Sequence, residues 1–132
     1  MNAQTIAKAI GESGCYFLSL LHLAGAEDSA IGLYQKAVAS KIMGADCFIQ
    51  DPAAILSMSA GGKWSVRHEP ADYQPQSNEM EILRYERKAT TATYGHFVVG
   101  DRHGGVIYDP LDASRTVAEG TLVSKRIVRK EA

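Results

Sequence analysis

Cysteine is scarce in this sequence. The two present, Cys15 and Cys47, are too few for a disulfide scaffold, and no Cys-x-x-Cys occurs. Zinc-ligand spacing is missing too, so a metal-binding protein built on Cys15, Cys47 and the histidines is the weakest of three readings. No charge of one sign dominates: 14 basic and 15 acidic residues leave a formal net charge of −1. That balance argues against a nucleic-acid or polyanion binder. The start, "MNAQTIAKAIGESG", lacks the apolar stretch of a secretory leader. The apolar run from Cys15 to Ala26 is too short to span a bilayer and contains His22. Together these absences lead us to expect a cytoplasmic protein with no membrane segment and no nucleic-acid partner. No internal repeat is visible.

What is present suits one domain over residues 1–132, since apolar residues make up 45% of the chain. Helices come first. A helix is predicted from about Gly14 to Ala24, with Ser13 as N-cap and Gly25 as its stop. Apolar residues cover most of its circumference, so it should be central. A second is predicted from about Ser29 to Met43, with a stripe of Ile31, Tyr34, Val38 and Ile42. Asp51-Pro52 opens a third, running to about Ala60 and ended by Gly61-Gly62. The pattern then changes to period two. "KWSVRHE", "EMEILRYERKA", "HFVVGD", "GVIYDP" and "TLVSKRIVRK" read as strands, and the basic "SKRIVRKEA" reads as a solvated edge. Helices followed by antiparallel strands make an α+β layout.

One hairpin can be read residue by residue. If Gly100 faces Gly105 across a four-residue loop, Val99 pairs with Val106, Val98 with Ile107, Phe97 with Tyr108 and His96 with Asp109. Alternation puts His96, Val98, Ile107 and Asp109 on one face. Partners directly opposite have Cβ atoms about 5 Å apart, close enough for an imidazole to bond a carboxylate. A carboxylate beside an imidazole orients it as a base. Cys15 supplies what such a pair lacks. At a helix start, free N–H groups and the helix dipole favour a thiolate over a thiol. The same N–H groups can receive an oxyanion.

Three stretches, "ESGCYFLSLL" opening a buried helix, "GHFVVGD" on a strand and "GGVIYDP" on the next, resemble the papain-like cysteine peptidase superfamily. They are most similar to its C39-like branch, among small bacterial or phage members. The resemblance implies a papain-like fold and a catalytic triad of Cys15, His96 and Asp109. It further implies a hydrolase acting on a peptide or protein substrate, with no metal or organic cofactor. Two features depart from the branch pattern. Cys15 is followed by Tyr16-Phe17 rather than Gly-Pro, and the position six residues earlier, where a glutamine usually helps form the oxyanion hole, is Ala9. Gln4 lies further back, and Glu12 would bring an opposing charge. These departures motivate the alternative: a papain-like binding module that recognises a peptide or host factor without cutting it. Cys47 reads as a core thiol, His22 as structural, and His68 and His103 as rim or turn residues. Trp64, Tyr73 and Tyr94 are groove or core aromatics. Gly95 would let a substrate backbone approach.

Overall fold

A computed structural model describes residues 2–131. In chain order it contains α1 (Ala3–Ser13), α2 (Cys15–Leu23), a 3-10 turn (Glu27–Ser29), α3 (Ala30–Ala39) and α4 (Pro52–Ala60). Then come β1 (Trp64–Pro70), β2 (Met80–Lys88), β3 (Thr93–Gly100), β4 (Val106–Tyr108), α5 (Arg115–Glu119) and β5 (Thr121–Lys130). The strands form one five-stranded sheet in the order β1-β5-β2-β3-β4, with every neighbouring pair antiparallel. The fold class is α+β.

The core lies between the N-terminal helices and one sheet face. Phe17, Leu20 and Leu21 of α2, Ile55 and Leu56 of α4, and Ile82 of β2 are completely buried there. Period-two alternation aims Met80, Ile82, Phe97, Val99 and Val128 at that layer. On the other face, α5 packs on β2 and β3.

The chain places several elements differently from the sequence reading. α1 is the largest difference. Asn2 caps it, accepting from the Thr5 N–H at 2.8 Å, and it buries only Ile6 and Ile10, too few apolar positions over about three turns to show a stripe in sequence. Ser13 is therefore the last residue of α1 rather than the cap of α2, whose junction residue is Gly14. α3 ends at Ala39 because Lys41 adopts φ +62° and turns the chain out of the helix. Its buried side is Leu33, Tyr34 and Ala37, while Ile31 is 41% exposed. Strand β5 is not a solvated edge: it sits between β1 and β2, with Ile127 and Val128 fully buried. Lys125-Arg126 and Arg129-Lys130 flank an Ile127-Val128 step that buries one side chain on each sheet face, and that burial outweighs the flanking charge. Gly25 (φ +69°), Asp51 (accepting from the Ala54 N–H at 3.1 Å) and Gly61 (φ +72°) stand where their roles were read.

Candidate active site

Cys15 is set at the first position of α2 by the joint before it. α1 runs almost directly into α2, and the Gly14 N–H closes α1 on the Ile10 carbonyl at 2.8 Å. A Cβ on Gly14 would lie 2.4 Å from that same oxygen, so only glycine allows the two helices to meet this closely. The first bond back into α2 is from Leu18 N–H to the Gly14 carbonyl. The N–H groups of Cys15, Tyr16 and Phe17 therefore have no acceptor within the helix.

The short β4 brings the thiol against the sheet. β4 pairs with β3 only at Val99 and Gly100. Further back along β3, the N-terminal half of α2 takes the edge that β4 leaves open. There the Ser19 hydroxyl donates to the Cys15 carbonyl at 2.8 Å and reaches the Phe97 carbonyl at 3.4 Å. The Phe97 N–H, on the same strand edge, bonds the Cys15 sulfur. Phe97 stacks under Tyr16, with ring centroids 4.4 Å apart. His96, one residue earlier, leaves the opposite face of the strand.

His96 Nε2 donates to Asp109 Oδ1 at 2.6 Å, and both side chains are buried. The other ring nitrogen, Nδ1, is left for Cys15. Asp109 Oδ1 also accepts from the Leu111 N–H at 2.9 Å, and Oδ2 from the Ser114 N–H at 3.0 Å. Burial alone would push the Cys15 thiol up. Hydrogen bonds from His96, Phe97 N–H and Tyr16 N–H outweigh it, and the thiol titrates below its ordinary value. Burial alone would lower His96, but its bonds to Cys15 and Asp109 raise it. Asp109 is likewise pushed up by burial and pulled down further by His96 and the two backbone N–H groups, ending below the ordinary carboxylate range. All three shifts favour a thiolate–imidazolium pair backed by a carboxylate.

The chain brings His96 and Asp109 together, though not as cross-strand partners. The observed register pairs Gly100 with Val106 and Val99 with Tyr108, with a bulge between. The turn is closed by Asp101 N–H donating to the Gly105 carbonyl, and Asp101 Oδ1 accepts from His103 and Gly105. The expected register is thus shifted, and Ile107, expected on the His96 face, points into solvent at 62% exposure. β4 ends at Tyr108, and Asp109 opens the loop that leads to α5. The loop folds back toward His96 because the carboxylate binds its own backbone at Leu111 and Ser114.

Two clefts meet at Cys15. One, about 230 Å³, is lined by Glu12, Cys15, Tyr94, His96, Leu111 and Thr116 among others. The second, about 560 Å³, lies on the other side and takes in Tyr16, Cys47, Phe48, Arg84, Phe97 and Arg126. The sequence reading missed Arg84, Arg126 and Ser19. A signal for the arginines did exist: each occupies the inward phase of its strand, beside Ile82 or Val128. Gly95 has another role than expected, since a Cβ there would lie 2.5 Å from the Arg84 guanidinium. Cys47 is buried, and its thiol is pushed up to about 11, by burial first. His22 stacks on Tyr108 with centroids 4.1 Å apart and bonds Glu27 at 3.1 Å, a structural role. His68 and His103 are exposed, Trp64 is in the core, and Tyr94 lines the first cleft. Gln4 is exposed on α1, and Ala9 is half-buried. Among the described residues no cluster of three or more His, Cys, Asp or Glu side chains is placed to hold a metal ion. No helix among them is long and apolar enough to cross a membrane.

One family model matches the chain. It is described as "Protein of unknown function, DUF261", it covers residues 1–130, and the chain belongs to that family. No curated protein and no solved structure matches the chain.

Proposed function

We propose that this protein is a thiol hydrolase of papain-like, C39-like type, cleaving a peptide or amide bond with Cys15, His96 and Asp109. The observation that carries the reading is the His96–Asp109 bond at 2.6 Å, with the thiol of a helix-initial cysteine on the other side of the same ring. The Cys15 thiolate attacks the carbonyl carbon, and the carbonyl electron pair moves to its oxygen. The N–H groups at the start of α2, which have no acceptor within the helix, receive that oxyanion. Collapse expels the amine, which takes a proton from His96 Nδ1, and leaves a thioester on Cys15. Neutral His96 then removes a proton from water, the hydroxide displaces the thiolate, and the acid product leaves. Asp109 holds the ring and stabilises its protonated form throughout. Thiolate, imidazolium and carboxylate are restored without any cofactor.

Alkylation tests the nucleophile directly. At pH 6, iodoacetamide followed by intact-mass analysis should modify Cys15 well before Cys47, whose raised pKa keeps it a thiol. His96→Ala should slow Cys15 by roughly tenfold or more. Equal, slow labelling of both thiols would overturn the proposal. One observation favours a second reading, a binding module in the same cleft. Glu12 lines the cleft beside Cys15, and a carboxylate there opposes an oxyanion. Turnover of any peptide in a broad library, lost in Cys15→Ala, would reject the binding module.

A further inference from the structure

The second cleft holds two cations, Arg84 and Arg126, and only Arg84 is paired with a carboxylate among the described residues. Arg84 on β2 stands opposite Phe97 of β3, and Arg126 on β5 stands opposite Ile82. All four side chains leave the same sheet face, toward α2. The guanidinium carbons lie over the Phe97 ring at 5.2 Å for Arg84 and 5.4 Å for Arg126. Arg84 has an acidic partner, Glu86, at 3.3 Å. Arg126 bonds only neutral acceptors, the Ser124 hydroxyl at 3.0 Å and the Lys125 carbonyl at 3.4 Å, and has no carboxylate partner among the described residues. One acid, Asp46, lies on the facing wall. Its Oδ1 accepts from the Phe48 N–H at 3.0 Å, so it serves its own loop.

Two like charges on one ring, half out of water, repel each other in a medium that screens less than bulk solvent. Burial and the Arg84 charge together pull the Arg126 guanidinium below its ordinary value. An incoming anion removes that repulsion and meets a planar donor already held over an aromatic ring. The absence of a side chain at Gly95 is part of the same construction, because the Arg84 guanidinium fills the space a Cβ would need. Tyr16 and the exposed ring of Phe48 supply apolar walls.

We propose that this cleft is an anion subsite in which Arg126, backed by Arg84, binds a carboxylate of the substrate beside the thiol of Cys15. The ligand class is a peptide or acylated amino acid with an acidic side chain or a free chain end near the bond being cut. The nearness of this subsite to a bond being cut rests on the hydrolase reading; the binding itself does not.

Binding is measured on the unsubstituted protein by following the arginine Nε–Hε signals in a nitrogen-15 NMR titration. Three probes are used: N-acetylglutamine, with only an α-carboxylate; N-acetylisoglutamine, with only a side-chain carboxylate; and N-acetylglutamine amide, which is neutral. Saturable shifts of the Arg126 signal with a carboxylate probe, and none with the amide, are expected. The stronger of the two carboxylates tells a chain end from an acidic side chain. No saturable shift with either carboxylate would overturn the subsite, whether or not Cys15 reacts. Its place beside the thiol is read from the ratio of iodoacetate to iodoacetamide alkylation rates at Cys15. Arg126→Gln should lower that ratio about five- to tenfold, and Arg126→Lys should lower it less. A ratio unchanged in both Arg126→Gln and Arg84→Gln would overturn the placement. Rapid iodoacetamide labelling in the same samples reports the nucleophile separately, so the two readings fail by different signs.

Discussion

Asp109 links the chemistry of the site to the stability of the loop that forms it. Its carboxylate holds His96, Leu111 N–H and Ser114 N–H together, with its pKa below the ordinary 3.8. A depressed carboxylate stabilises the fold fully above its unfolded pKa and loses that contribution as pH falls through the folded one. Acid unfolding should therefore steepen below about pH 4 in the parent, and Asp109→Ala should flatten this limb of a urea-midpoint profile. The alanine variant leaves two loop N–H groups and His96 Nε2 without their acceptor, for a loss of about 2–3 kcal/mol. Asp109→Asn keeps a ring-orienting oxygen but loses the charge. The raised His96 pKa should then fall and the lowered Cys15 pKa should rise, measured by imidazole NMR and by the pH dependence of alkylation. A pH profile of Cys15 labelling identical to that of the parent would contradict this coupling.

Two elements govern where the Cys15 thiol sits: the helix joint and the strand edge. At Gly14, an added Cβ meets backbone at Ile10, which cannot swing aside. Gly14→Ala should cost about 2 kcal/mol or more and slow Cys15 labelling, because relief requires moving the start of α2. Gly95→Ala offers the contrast. Its Cβ meets the tip of a flexible arginine, so the fold should lose less than about 1 kcal/mol in a urea melt. Ser19, fully buried, ties α2 to the open edge of β3 through the Cys15 and Phe97 carbonyls. Ser19→Ala should cost about 1 kcal/mol. A larger fractional effect on Cys15 labelling than on stability would mark its role in positioning.

Across the whole molecule, the second sheet face buries Leu83, Val98 and Ile127 and is pinned by a charge network beside them. Glu81 is 1% exposed; its Oε1 accepts from Lys125 Nζ at 2.9 Å and its Oε2 from the Arg102 N–H at 3.0 Å. Lys125 also donates to the Tyr73 carbonyl at 2.8 Å, and Tyr73 donates to Glu79, which an Arg67 ion pair holds down to about 2. Loop 71–79 is thereby tied to β2 and β5. Removing one member of the buried pair strands the other, so Glu81→Ala should cost about 3–5 kcal/mol. Replacing both Glu81 and Lys125 by apolar residues of similar size should cost much less. Chemical denaturation of the single and double variants checks the difference, and equal losses would contradict a buried-charge origin.

The local code of this chain was readable along the sequence. Period-two alternation located five strands, Gly25 and Gly61 marked helix ends, Asp51-Pro52 opened α4, and Cys15 could be placed at a helix start. These are short-range properties, set by backbone sterics, capping and side-chain period, and they survive without tertiary context. The same alternation carried a trace of the second cleft, since Arg84 and Arg126 sit in inward phase beside Ile82 and Val128. What distance along the chain hides, only packing decided. Strand order put the basic β5 inside the sheet, between β1 and β2, because pairing depends on which faces find cover and not on local charge. A bulge moved the β3–β4 register off the symmetric hairpin, because the turn residue Asp101 binds two loop N–H groups. Asp109 still meets His96, by a loop that its own carboxylate closes. The sequence singled out the two side chains, while the route between them was settled by hydrogen bonds that form only when β4 stops at Tyr108.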